Sequence, residues 1–288
     1  MTSRAARPLG VNTWVWTSPL TDESLRQLAP RIKDWGFDLI ELPVENLGDW
    51  DPAGAARLLS DLGLAATVTL VMGPGRELVA TDEATLARTQ DYLRGVIDAA
   101  HTVGSPVIAG PAYASVGRTW RMSQEERRAC YEELTANLAP LAEYGRDAGV
   151  QIAVEPLNRY ETSLINTVDQ ALTALEGLPE VGLLLDVYHM NIEETDVPAA
   201  IRRADARIAH VQVCANDRGA PGADHLPWRE MMAALDEVAY TGPVCIESFT
   251  AQNATIATAA SIWRPLAESQ DTIAVDGLSH LRKVMPRK

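Results

Sequence analysis

The sequence predicts an α/β fold, a (β/α)8 TIM barrel, and three observations carry that reading. Eight short runs rich in Val, Ile, Leu and Ala alternate with amphipathic stretches along 288 residues, a length that suits one barrel of about 250 residues. The runs are apolar at nearly every position rather than at alternate ones, as in parallel strands buried on both faces. Glycine recurs just before strands, at Gly36, Gly63, Gly104, Gly149 and Gly242, where helices end in a left-handed residue. A doubly wound sheet is the rival architecture. It normally carries a glycine-rich turn after the first strand, and residues 12–19 contain no glycine.

The elements follow in order. Residues 11–16 form the first strand and 22–35 an amphipathic helix; 37–44 and 51–62 repeat the unit, with Leu58, Leu59 and Leu62 at helical spacing. The third strand is 64–72, and the long helix 81–103 opens with Thr81-Asp82-Glu83, a capping sequence. Residues 105–110 precede the helix 123–148, where Ser123 and Glu126 read as a capping box. The fifth and sixth units are 150–155 with 167–178 and 182–187 with 197–206. The seventh is 208–214 with 227–238, and the eighth is 244–249 followed by a C-terminal helical region, 257–288. No linker or low-complexity segment divides the chain, so 1–288 reads as one domain with residues 1–7 a short flexible start.

Composition narrows the function. A formal charge of −14 argues against nucleic-acid or anionic-membrane partners, since both are polyanions. No apolar run is long enough to span a bilayer, and the polar, basic first residues lack the apolar core of a secretory signal. Three cysteines, Cys130, Cys214 and Cys245, lie far apart, which fits reduced thiols and a cytoplasmic location better than a disulfide framework. Cys214 and Cys245 have no histidine beside them to activate them and read as buried packing. The glycines of 73–75 and 115–117 show no phosphate-cradle pattern.

Chemistry in such barrels sits at the carboxyl ends of the strands. Four successive apolar runs there end in a residue that can bind a metal: Glu155, Asp186, Gln212 and Glu247. One strand-end polar residue means little, but three converging carboxylates repel unless a cation compensates them. An all-oxygen set of three carboxylates and an amide suits Mn²⁺ first, with Mg²⁺ or Co²⁺ as alternatives and Zn²⁺ less well matched. The two glutamates can also move protons if a substrate lies between them. The loops beyond these strands hold Asn158, Arg159, Tyr160 and Glu161, then His189, then Asn216, Asp217 and Arg218, and further along Asp224 and His225. Trp14, Trp16 and Tyr113 are expected to wall an apolar side of the pocket. Glu41, inside an apolar run, reads equally well as structural or as a further polar member of the site.

At these residues the chain resembles the ketose 3-epimerases, the D-tagatose, D-allulose (D-psicose) and L-ribulose 3-epimerases of the xylose-isomerase-like barrel superfamily. The segments that carry the resemblance are 155–161, 185–194, 210–218, 225–228 and 244–249, and it extends over nearly the whole chain. The resemblance implies that Glu155, Asp186 and Glu247 are metal ligands, with Glu155 and Glu247 also the acid/base pair. It implies that Glu161, His189 and Arg218 hold the C1–C2 oxygens of a ketose, and that the protein is a homodimer or homotetramer. One position departs. These enzymes usually read His-x-His on the seventh strand, with the second His the fourth ligand, and here that position is Gln212. His210 lies about 6.6 Å deeper along the strand, too far to replace a rim ligand, whereas Gln is a neutral oxygen donor that preserves the site charge.

The expected function is therefore metal-dependent 3-epimerisation of a free ketose through a cis-enediolate. The alternative is a hydroxypyruvate, 2-oxo-tetronate or other aldose–ketose isomerase using the same metal site; related isomerases place Gln at this position. An endonuclease-IV-like repair enzyme would need a His-rich zinc cluster and a basic groove, which five histidines and a charge of −14 do not supply. A non-catalytic sugar-binding barrel has no need of two opposed glutamates.

Overall fold

A computed structural model describes residues 7–285. Eight parallel strands close into a barrel in sequence order, β1 (Leu9–Asn12), β2 (Leu39–Val44), β3 (Ala65–Leu70), β4 (Val107–Gly110), β5 (Gln151–Val154), β6 (Gly182–Asp186), β7 (Ile208–Val213) and β8 (Val244–Ile246). The ring closes where Gly10 pairs with Cys245 and Val11 with Ile246.

Helices α1 (Asp22–Trp35), α2 (Pro52–Leu62), α3 (Glu83–Val103) and α4 (Gln124–Asp147) follow the first four strands. Their starts obey the capping chemistry of the sequence. Asp51 accepts from Ala53 N and Gly54 N, and Asp82 accepts from Thr85 N. Ser123 and Glu126 form the reciprocal box. After β5 comes α5 (Val168–Ala174), shorter than expected because the chain turns at Leu175. After β6 two helices stand where the sequence suggested one, α6 (Val187–Glu193) and α7 (Val197–Ala204). Helices α8 (Trp228–Glu237), α9 (Ala254–Ala259) and α10 (Gln270–Val284) complete the ring.

Three boundaries differ informatively. The first strand ends at Asn12, because its side chain accepts from Trp14 N and turns Thr13–Val15 into a 3-10 turn. The C-terminal helical region is broken into α9 and α10, with residues 286–288 outside the described range. Residues 1–6 of the expected flexible start also lie outside it, but Arg7 is held: its Nε donates to Tyr240 O at 2.9 Å and Nη2 to Asp236 Oδ1 at 2.6 Å.

The barrel interior has two unlike halves. Val107, Ala109, Ala153 and Leu184 form a small apolar cluster on the β4–β6 side. Opposite, Asn12, Glu41, Thr67, Thr69, His210 and Gln212 are all buried. Glu41 on β2 bonds to His210 and Gln212 on β7, strands that are not neighbours, so these side chains reach across the barrel axis.

Candidate functional site

The site assembles at the carboxyl ends of β5 to β8. Glu155 directly follows β5, and its N–H donates to Gly110 O at 3.0 Å, fixing the exit of the chain. Asp186 ends β6 and caps α6: its Oδ1 accepts from Tyr188 N at 2.9 Å, which leaves Oδ2 for the site. Gln212 on β7 pairs in register with Asp186 on one side and Cys245 on the other. Glu247 follows β8, with its N–H on Val213 O at 3.0 Å. All four side chains are buried.

Arg218 is the cation among them. Its Nη1 donates to Asp186 Oδ2 at 2.7 Å and to Glu247 Oε2 at 2.9 Å, so one nitrogen ties the ends of β6 and β8 together. The guanidinium lies 3.8 Å from the Tyr188 ring centroid and 5.1 Å from that of Phe249. Its backbone takes a positive φ of 70°, and its carbonyl accepts from Ser248 Oγ at 2.5 Å, which pins the loop to the end of β8. Burial works against its charge, but Asp186, Cys214, Glu247 and Glu161 outweigh burial and keep it protonated.

His189, in α6, completes the cluster. Its Nδ1 accepts from Asn158 N at 3.0 Å, a bond that only an unprotonated nitrogen can take, so Nε2 carries the proton. Nε2 lies 3.4 Å from both Glu155 Oε1 and Asp186 Oδ2, where an N–H is welcome. Its 3.2 Å approach to Arg218 Nη2 is then a contact between two donors, not a bond. Burial and the charge of Arg218 hold the ring well below the usual histidine range, so it is neutral.

The carboxyls carry the opposite stress. Burial, then the charges of Glu247 and Asp186, push Glu155 well above the usual carboxylate range. Burial pushes Glu247 up to about 8 although Arg218 pulls it down. Asp186 and Glu161 are also raised, by burial against the pull of Arg218. Three carboxylates facing one guanidinium leave negative charge in excess, which a divalent cation would relieve. Gln212 adds a second sign of a missing partner: among the described residues its Oε1 has no hydrogen-bond partner although it is buried. Glu155, Asp186 and His189 offer ligand atoms that lie within 4.8 Å of one another, and with Glu247 and that amide oxygen beside them the donor set is mostly hard oxygen, which suits a divalent ion.

Other expected members are distributed unevenly. Glu161 is half-buried, its Oε1 accepting from Asn158 Nδ2 at 2.7 Å, close enough to Arg218 for the two charges to interact. Trp14 packs on Phe249 with ring centroids 5.6 Å apart and donates Nε1 to Glu45, so it borders the Arg218 side of the site. Tyr113 is fully buried, and its hydroxyl donates to Glu155 O at 3.0 Å; it stands behind Glu155 rather than forming a free pocket wall. Trp16 turns away, stacking on Trp35 and bonding Asp271. Arg159 is committed to Glu193 through two bonds, of 2.9 and 3.0 Å, and Asp217 to Arg264 at 2.7 Å. Asp224 caps its own loop, taking Leu226 N and Trp228 Nε1, and His225 is exposed. Tyr188 and Phe249, whose rings lie close to the Arg218 guanidinium, were not foreseen; the adjacency of Tyr188 to His189 was the available signal.

Comparison with known proteins places the chain in a family. Residues 29–284 match the family model described as a xylose isomerase-like TIM barrel. A probable ketose 3-epimerase of Synechocystis sp. is 34% identical over 95% of this chain and 95% of its own. An L-ribulose 3-epimerase of Mesorhizobium japonicum is 30% identical over 90% of this chain and 87% of its own. The crystal structure of a D-allulose 3-epimerase from Methylomonas sp. in complex with D-allulose superposes with a TM-score of 0.89 at 27% identity. It covers 100% of this chain and 99% of that one.

Proposed function

This chain belongs to the ketose 3-epimerases of the xylose isomerase-like TIM barrel family, and from that premise we propose that it epimerises free ketoses at C3 with a divalent metal. The observation that carries the reading is the pair Glu155 and Glu247, buried carboxyls on non-adjacent strands that flank the Asp186–Arg218 centre. Inversion at C3 requires a proton to leave one face of the carbon and another to arrive on the opposite face. A single carboxylate serves one face; two are needed for both.

Each glutamate has a definable part. One carboxylate breaks the C3–H bond and keeps the proton, and the electron pair of that bond passes into a cis-enediolate between C2 and C3, with negative charge on O2. The other carboxyl delivers its proton to the far face of C3, and the reverse reaction exchanges the roles. Burial raises both groups, helped at Glu155 by the charge of Glu247 and at Glu247 by that of Asp186, so each can hold a proton well above the usual carboxylate range. A bound divalent ion, Mn²⁺ by preference, would supply Lewis acidity toward the substrate oxygens. Glu155, Asp186, Gln212 and Glu247 would hold it.

Arg218 and the Nε2–H of His189 are donors at the developing oxyanion, and Glu161 accepts from substrate hydroxyls. The commitment of Arg159 to Glu193 and of Arg264 to Asp217 supports an uncharged sugar, because these rim cations already have carboxylate partners. At saturating Mn²⁺, Glu155→Gln and Glu247→Gln should each lower kcat by about 10²–10⁴-fold. The assay is a panel of allulose, fructose, tagatose, ribulose, xylulose, erythrulose and hydroxypyruvate. Unchanged turnover in either variant removes that residue from the pair, and turnover of hydroxypyruvate alone would favour an isomerase.

A further inference from the structure

We propose that Glu41 is a positioning residue that locks the side-chain amide of Gln212 so that its oxygen, not its nitrogen, is offered to the metal. The inference rests on the reading of Gln212 as a ligand. Glu41 lies in the middle of β2, deep in the barrel and remote in sequence from the other site residues. Its carboxylate is surrounded by donors. Oε2 accepts from Asn12 Nδ2 at 2.7 Å and from Gln212 Nε2 at 2.6 Å; Oε1 accepts from Thr67 Oγ1 at 3.2 Å and meets His210 Nε2 at 2.5 Å.

The orientation of Asn12 is fixed independently, because its Oδ1 accepts from Trp14 N at 2.9 Å. Its NH₂ must therefore face Glu41, and the carboxylate is a pure acceptor at this point. The two ends of a glutamine amide have nearly the same shape and opposite polarity. Turned over, Gln212 would press Oε1 against Glu41 Oε2 and lose a charge-assisted bond. The amide therefore keeps its nitrogen on Glu41.

The consequence is that the buried Oε1 has no hydrogen-bond partner among the described residues. A buried acceptor without a donor is costly, and the register sets this one on the strand between Asp186 of β6 and the β8 segment that ends at Glu247. A cation held there satisfies it. An amide can bind a cation only through oxygen, so a glutamine ligand needs a device that chooses its end. Glu41 is that device.

The test is Mn²⁺ affinity of the metal-free protein, measured by titration calorimetry and by the electron paramagnetic resonance signal of unbound Mn²⁺, for wild type, Q212A, E41Q, Q212E and E41Q/Q212E. In E41Q the amide can turn over, and Mn²⁺ affinity should fall about 10- to 100-fold, the usual cost of losing a group that orients a ligand. Glutamate at 212 has an oxygen at both ends and needs no lock, so E41Q should cause no loss in the Q212E background. Equal losses in both backgrounds, or none in the wild-type background, overturn the proposal. If Q212A binds Mn²⁺ as wild type does, the ligand reading itself fails; if Q212A loses affinity and E41Q does not, the lock alone fails. Should E41Q not fold, E41Q/Q212E, which retains one carboxylate and one amide, decides: it must bind at least as tightly as wild type, and a folded double variant that binds no Mn²⁺ overturns the proposal.

Discussion

Arg218 stands where acidic side chains most need a positive charge, and its 2.7 and 2.9 Å bonds to Asp186 and Glu247 set the charge balance of the site. The balance is incomplete, since burial still raises Glu247 to about 8. An unfolded glutamate titrates near 4.3, so between these values the folded protein binds more protons than the unfolded one, and stability falls as pH rises. His189, driven neutral by burial, acts in the opposite direction, but its contribution is complete above about pH 6.5. The metal-free protein should therefore melt at a lower temperature at pH 8.5 than at pH 7, and saturating Mn²⁺ should remove most of the difference. Calorimetric melts at the two pH values, with and without the ion, check this; equal metal-free Tm values would contradict it. At this scale the placement of Glu155, Asp186, Gln212 and Glu247 at the barrel rim was legible, because each closes an apolar run where a barrel keeps its chemistry. The part of Glu41 was not legible, since its partners lie across the barrel on β7, a relation that no local pattern records. Tyr113 misled for a similar reason: an aromatic on a rim loop can face the pocket or its back, and only packing decides.

The loop after β5 and helix α6 form one supporting element. Asn158 joins them: its N–H reaches His189 Nδ1 at 3.0 Å, and its Nδ2 reaches Glu161 Oε1 at 2.7 Å. Its Oδ1 accepts from Tyr160 N at 2.9 Å, which shapes the turn itself. Asn158→Ala keeps the backbone bond to His189 Nδ1 but removes the Nδ2 contact to the same nitrogen, at 3.0 Å, and releases Glu161 and the turn. KM should rise about 10-fold or more while Tm changes by only a few degrees; an unchanged KM would separate this loop from substrate binding. The helix α6 itself escaped the sequence reading. It has seven residues, starts directly at the strand-end Asp186 and has no glycine or proline to announce it. The longer helices were readable because their caps and apolar spacing agree: α1 spans the expected 22–35, and the Ser123 box opens α4.

Across the whole molecule, the barrel divides its interior into an apolar side and a hydrogen-bonded side, and the candidate site stands on the rim above both. Eight strand–helix units could be counted from hydrophobic runs and glycine stops, so closure was predictable; the polar half of the interior was not, because it arises only when β2 faces β7. The rim brings Glu155 and Glu247 in from strands three apart, with Asp186 of β6 and Gln212 of β7 between them in the strand order. Under the proposed function this arrangement serves inversion at one carbon, and solvent isotope incorporation tests that proposal most directly. The protein should be incubated with Mn²⁺ and its best ketose from the panel in D₂O, and deuterium located by NMR in both substrate and product. Deuterium is expected at C3 alone; deuterium at C1 or C2 with C3 unlabelled would contradict C3 epimerisation.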